Sequence, residues 1–138
     1  MEWGLFGGVF LAWCAALCWF DVRERRLPNV LTLPAASVAL AGSLWAVLDG
    51  DSAPLVGAAV WTAVNGAAFL ARGMGAGDVK LAPALGAAVA WSGGVPAVIL
   101  VILGAQLVTL AWALTTRDRT VPHGPPMIAA ALFAGFAT

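Results

Sequence analysis

The chain has 138 residues, of which 62% are hydrophobic and 10% charged, and its formal net charge is zero. A soluble globular domain is about 45–50% apolar and about 25% charged. Composition therefore excludes an ordinary water-soluble domain, and a mean hydropathy of +0.92 makes lipid the expected solvent.

In chain order, charge-free stretches fall at 3–20, 27–48, 52–71, 81–116 and 121–138. A membrane-spanning helix takes about 20 residues, so four of these stretches fit one crossing each. The fourth in order, 81–116, is long enough for two and is interrupted by Trp91-Ser92-Gly93-Gly94-Val95-Pro96, which reads as a turn. The expectation is an all-α polytopic bundle of six transmembrane helices, a single membrane-embedded domain over 1–138.

The first span resembles a signal peptide only superficially. Glu2 stands where a basic leading region belongs, the positive charges follow the apolar run, and no small-x-small cleavage site appears. Cys14 and Cys18 lie four apart on one face of this span. A disulfide within one helical turn is geometrically poor and no metal-type cluster surrounds them, so the plain reading is apolar packing. Asp21 closes the span, and after a basic turn Pro28 and Asn29 open the second, with proline suited to a first turn and asparagine to capping free N–H groups. Asn65 and Gln106 are lone polar residues in the third and fifth spans, placed to hydrogen-bond between helices. Trp3, Trp45 and Trp91 fall near the outer ends of their spans, where aromatic rings anchor at the interface.

Charge then sets orientation. All seven basic residues lie after span one (Arg23, Arg25, Arg26), between spans three and four (Arg72, Lys80) or between spans five and six (Arg117, Arg119). The opposite loop holds Asp49 and Asp51 with no Lys or Arg. Positive residues collect on the cytoplasmic side of short loops, so both termini are expected outside.

Against this background two acids stand out. Asp21 ends span one, and Asp78 opens span four within Gly73-Met74-Gly75-Ala76-Gly77-Asp78-Val79-Lys80-Leu81. A carboxylate deep in a membrane costs about 2.5–3.5 kcal/mol on insertion scales, which makes intramembrane acids functional candidates. Charge counting puts both at the same, cytoplasmic, edge. Two carboxyls sharing a site cannot both ionise cheaply, so one is left as a base that activates water and the other as an acid that protonates the carbonyl or leaving amine. Gly75 and Gly77 would let a peptide main chain approach beside the acid. Taken singly, Asp21 also reads as a helix-end partner of Arg25, and Asp78 as a cap on span four.

Three blocks in order make the pattern specific: Asp21 with Leu27-Pro28-Asn29 and Leu31-Thr32-Leu33-Pro34; the Gly73–Leu81 run around Gly75 and Gly77; and Pro122-His123-Gly124-Pro125 leading into the last span. Together they resemble the type IV prepilin peptidases, a family of intramembrane aspartic proteases. The resemblance implies that Asp21 and Asp78 are the catalytic pair. It also implies that Gly75, Gly77, Pro28, Asn29, Lys80, Pro122, Gly124 and Pro125 shape the site or bind substrate. The implied substrate is a prepilin or pseudopilin whose basic leader is cut after a glycine on the cytoplasmic side of a bacterial inner membrane. The lipid bilayer is the other partner; no nucleic acid, cofactor or metal is expected, and no oligomeric state is implied.

The chain departs from the pattern twice. Larger members carry an N-terminal insertion with zinc-binding cysteines and an N-methyltransferase activity; here at most two residues precede span one and both cysteines are intramembrane, so a compact peptidase-only form is expected. His123 stands where an aromatic is common, and reads either as tuning the site or as an interfacial histidine. Lys80 reads first as a topology residue, and alternatively as an influence on Asp78.

Rival readings fit less well. The presenilin and signal-peptide-peptidase group pairs its GxGD element with a Tyr-Asp pair, and this chain has no tyrosine; its Pro-Ala-Leu element, expected far downstream, falls at Pro83-Ala84-Leu85 within the same helix. A small proton-coupled transporter would place its acids near the midplane on broken helices. A non-catalytic component of a pilus or secretion assembly would not need to retain both acids.

Overall fold

The computed structural model describes residues 2–117 and 120–137, with side chains excluded at 2–4, 6, 136 and 137. Arg119 and the side chains of Glu2 and Trp3 lie outside the described residues. Five helices follow one another: α1 (Glu2–Glu24), α2 (Asn29–Leu48), α3 (Ala53–Leu70), α4 (Ala76–Thr116) and α5 (Gly124–Ala137). Among the described residues there is no strand.

The described residues form five helices where six were expected, the expected fourth and fifth spans running together as α4. Of the described helices, α2, α3 and α4 are long and apolar enough to cross a membrane. The expected turn at 91–96 shrinks to one residue: Gly94 adopts φ 72, ψ −179 inside an otherwise helical α4. That conformation is essentially confined to glycine, so one residue suffices to redirect the chain. Pro96, two residues on, sits in the first turn of the second half, where its missing N–H removes no helical bond.

The surface is inverted relative to a soluble protein. Leu48, Leu70, Val30 and Phe133 are exposed, whereas Asp21, Thr32, Ser43, Asn65, Asp78 and His123 are buried. Thr32 and Ser43 return their hydroxyls to the carbonyls of Pro28 and Ala39 four residues back, which satisfies them without a neighbour. Such an arrangement suits a lipid-facing bundle with a small polar interior.

Helix α4 is the hub, packed against α2, α3 and α5, while α1 leans on α5. The α3–α4 crossing is glycine on glycine: a Cβ on Gly86 would lie 2.4 Å from the Gly57 carbonyl oxygen, and one on Gly57 would lie 2.5 Å from the Ala90 Cβ. Around it pack Leu17, Trp61, Leu81, Leu85, Val98, Met127 and Ile128. Trp45 and Trp91 remain exposed, as interface anchors would.

Three helices turn on an arginine at one end of the bundle. Arg25 after α1, Arg72 after α3 and Arg117 after α4 have φ of 51, 60 and 53, a left-handed conformation usually given to glycine. After α3 the pattern is complete: Arg72 N–H donates to Phe69 O at 2.9 Å and Gly73 N–H to Ala68 O at 2.9 Å. A cation there also complements the negative end of the helix dipole. At the other end, Asp49-Gly50-Asp51 links α2 to α3, with Gly50 at φ 91 and Asp51 Oδ1 accepting Ala53 N–H at 2.9 Å.

Candidate active site

Asp21 sits in the last turn of α1 and Asp78 in the first turn of α4, and they are only 6% and 7% exposed. Both line one cavity of about 490 Å³, together with Glu24, Arg25, Arg26, Leu27, Pro28, Asn29, Gly75, Ala76, Gly77 and Lys80. Asp21 is close enough to Asp78 to act on it electrostatically. Two acids 57 positions apart in sequence therefore face the same small space.

Asp21 is held from the opposite side of the chain. Its Oδ2 accepts the Gly124 N–H at 2.8 Å. Gly124 is the first residue of α5, so the carboxylate meets free N–H groups and the positive end of the helix dipole. Only glycine fits: a Cβ there would lie 2.6 Å from Asp21 Oδ2 and 3.2 Å from its Cγ. Pro122 and Pro125 flank Gly124, and the prolines at 125 and 126 occupy the first turn of α5, where a missing N–H is harmless.

Asp78 is held through its own helix and its neighbour. The Gly75 backbone N–H faces its carboxylate, the reciprocal half of a capping box. The Asn65 side chain on α3 donates from Nδ2 to the Asp78 carbonyl oxygen at 3.0 Å. Asp78 Oδ1 is buried with no partner among the described residues.

The glycines before Asp78 divide in their reasons. A Cβ on Gly77 would lie 2.9 Å from the Leu27 Cβ, so Gly77 lets the start of α4 close on the connection between α1 and α2. Gly75 has ordinary extended backbone (φ −78, ψ 154), and a Cβ would clear Asp78 Oδ2 at 3.7 Å. The expected approach of a peptide beside both glycines thus has a packing explanation at Gly77, and backbone conformation does not demand glycine at Gly75.

Asn29 does not cap α2 as its sequence position suggested. Pro28 occupies the cap position and no side-chain cap bond forms. Asn29 Oδ1 instead accepts the Lys80 ammonium at 2.8 Å, tying α2 to α4 across the cavity rim. Arg25 donates from Nη1 to both the carbonyl and the hydroxyl of Thr120, joining the loop after α1 to the loop before α5.

His123 is more than an interfacial ring. It is 8% exposed, and its Nδ1 lies 2.7 Å from Thr109 Oγ1. The Thr109 hydroxyl donates to the Ala105 carbonyl at 2.9 Å. With its one proton so placed, the hydroxyl accepts from His123 Nδ1–H, which leaves Nε2 as an acceptor. Burial pushes the His123 imidazole below its ordinary value of 6.5. Thr109 carried no sequence signal: a hydroxyl in an apolar run usually returns to its own backbone.

Cys14 and Cys18 are free thiols, the first buried in the core and the second half-buried, as apolar packing requires. Asn65 makes the interhelical bond expected of it; Gln106 is half-buried on α4 and makes none among the described residues.

Fold and site together define a helical membrane protein that gathers two buried carboxyl groups around one polar cavity. The chain belongs to the type IV leader peptidase family, whose model matches residues 8–114. It is 35% identical over 141 residues to a prepilin leader peptidase/N-methyltransferase of Xanthomonas campestris pv. campestris, covering 89% of this chain and 47% of that protein. A prepilin leader peptidase/N-methyltransferase of Aeromonas salmonicida is 34% identical over 142 residues, covering 89% of this chain and 46% of that protein. The chain thus spans about half the length of the curated relatives it matches. No solved structure matches it.

Proposed function

We propose that this chain is an intramembrane aspartic endopeptidase that removes the basic leader from prepilins or pseudopilins, with Asp21 and Asp78 as its catalytic pair. The observation that carries the reading is the burial of both carboxyls on one cavity, presented by separate helices. Membership of the leader peptidase family supports it, as do relatives whose names include that activity. Of the two activities in those names, the cavity residues supply chemistry for the first.

One carboxylate removes a proton from water as the oxygen attacks the scissile carbonyl carbon. The other, protonated, gives its proton to the carbonyl oxygen. Collapse of the tetrahedral adduct breaks the C–N bond, the proton taken from water passes to the leaving amine, and the proton on the former carbonyl oxygen returns to the carboxylate that gave it. Water is consumed, an acid and an amine are released, and the pair returns to its one-proton state. Gly124 holds Asp21 in place, Gly77 with Leu27 sets the depth of Asp78, and Lys80 with Asn29, Pro28 and Gly75 form the wall a leader peptide would pass.

The described basic residues collect at the end of the bundle that holds this cavity, so we take that end as cytoplasmic and the membrane as the bacterial inner membrane. Helix α4, 41 residues long, would extend about 60 Å at 1.5 Å per residue, twice a hydrocarbon core of about 30 Å. We therefore count its halves on either side of Gly94 as two crossings. With α1 and α5 included, that makes six, with both termini outside.

Co-expression with a precursor pilin, read by the gel shift of leader removal, tests the reading. Wild type should convert the precursor, while Asp21→Asn and Asp78→Asn should insert normally and convert none. Conversion that survives either change removes the pair from the mechanism.

A further inference from the structure

Asn65 is wholly buried (0% exposed) in the middle of the apolar helix α3. A primary amide in that setting is costly unless it is bonded. Its Nδ2 donates to the Asp78 carbonyl on α4 at 3.0 Å and lies 3.6 Å from the Met127 sulfur on α5. Met127 follows three residues after Gly124, the residue whose N–H holds Asp21. One amide therefore touches the helix that carries Asp78 and the helix whose first residue grips Asp21. Its Oδ1, like Asp78 Oδ1, is buried without a partner among the described residues. A packing role alone would be served better by leucine, which leaves no orphaned acceptor.

We infer that Asn65 is a positioning residue that sets the register of the two acid-bearing elements, and so the separation of the Asp21 and Asp78 carboxyls. The inference rests on the peptidase reading above. The amide N–H is the operative group, because it is the atom that reaches the Asp78 carbonyl across the α3–α4 contact. In Asn65→Leu the donor is gone at every pH. In Asn65→Asp it is gone when the new carboxyl is ionised and restored when it is protonated, since only the neutral acid carries an O–H.

The test is leader cleavage by purified, reconstituted full chain, with kcat and KM measured per folded enzyme across pH. Asn65→Leu should lose about a hundredfold in kcat, the scale set by a displacement of about 1 Å in a reacting group, with KM within about twofold. For Asn65→Asp, kcat relative to wild type should rise as pH falls. That near-isosteric variant decides the matter where Asn65→Leu does not accumulate. A purely structural Asn65 would lower the yield of folded protein and leave kcat per folded enzyme and the pH ratio unchanged; either result overturns the inference. Cleavage that persists in Asp21→Asn overturns the underlying peptidase reading and this inference with it. Cleavage lost in Asp21→Asn but intact in Asn65→Leu overturns this inference alone.

Discussion

At the scale of single residues, the site depends on contacts that tolerate no extra atom. Gly124 donates to Asp21 only because nothing stands between its backbone and the carboxylate. Gly124→Ala should push Asp21 out of place and cut leader cleavage by at least about tenfold, given how steeply rate depends on catalytic geometry. Gly66, where an added methyl group would meet nothing within 4 Å, provides the control: Gly66→Ala should cleave like wild type. His123 offers a second test through pH. Its folded form favours the neutral ring, so the unfolded chain binds more protons near and below pH 6.5. The contribution of His123 to stability should therefore be full above that value and be lost as pH falls through it towards the lower value of the buried ring. Because the two buried acids titrate as well, the reading is a difference: the unfolding temperature of wild type relative to His123→Gln, measured in detergent, should be higher at pH 7.5 than at acid pH.

At the scale of helices, what was legible in the sequence was polarity by position. Charge-free stretches located α2 and α3, and Pro28 marked the start of α2 within a residue. The three motif blocks pointed to the end of the bundle where the cavity lies. Long-range pairing was not legible. Nothing local says that Asn29 serves Lys80 and not its own helix, that Thr109 receives His123, or that α5 begins on Asp21. The break in α4 was legible as a run of turn residues, but which residue would carry it depends on backbone strain that only Gly94 takes up. The glycine-on-glycine crossing of α3 and α4 makes its own prediction. Gly86→Val inserts bulk against the Gly57 carbonyl and should cost about 1–3 kcal/mol, the usual range for overpacking. Gly104→Val, facing open space, should leave the unfolding temperature in detergent nearly unchanged.

At the scale of the whole molecule, the bundle is organised to bring two remote carboxyls to one polar pocket while its outer faces remain apolar. Three links between distant segments close that end: Gly124 to Asp21, Lys80 to Asn29 and Arg25 to Thr120. If the acids work as one unit, their substitutions must fail to add, because the second change removes nothing that the first has left. The decisive measurement is the rate of leader cleavage by reconstituted wild type, Asp21→Asn, Asp78→Asn and the double variant, each at equal folded concentration. Both single variants should fall to the uncatalysed background and the double variant should be no slower than either. A single variant that keeps a substantial rate, further reduced in the double, would mean that the two carboxyls act separately and that the proposed dyad does not exist.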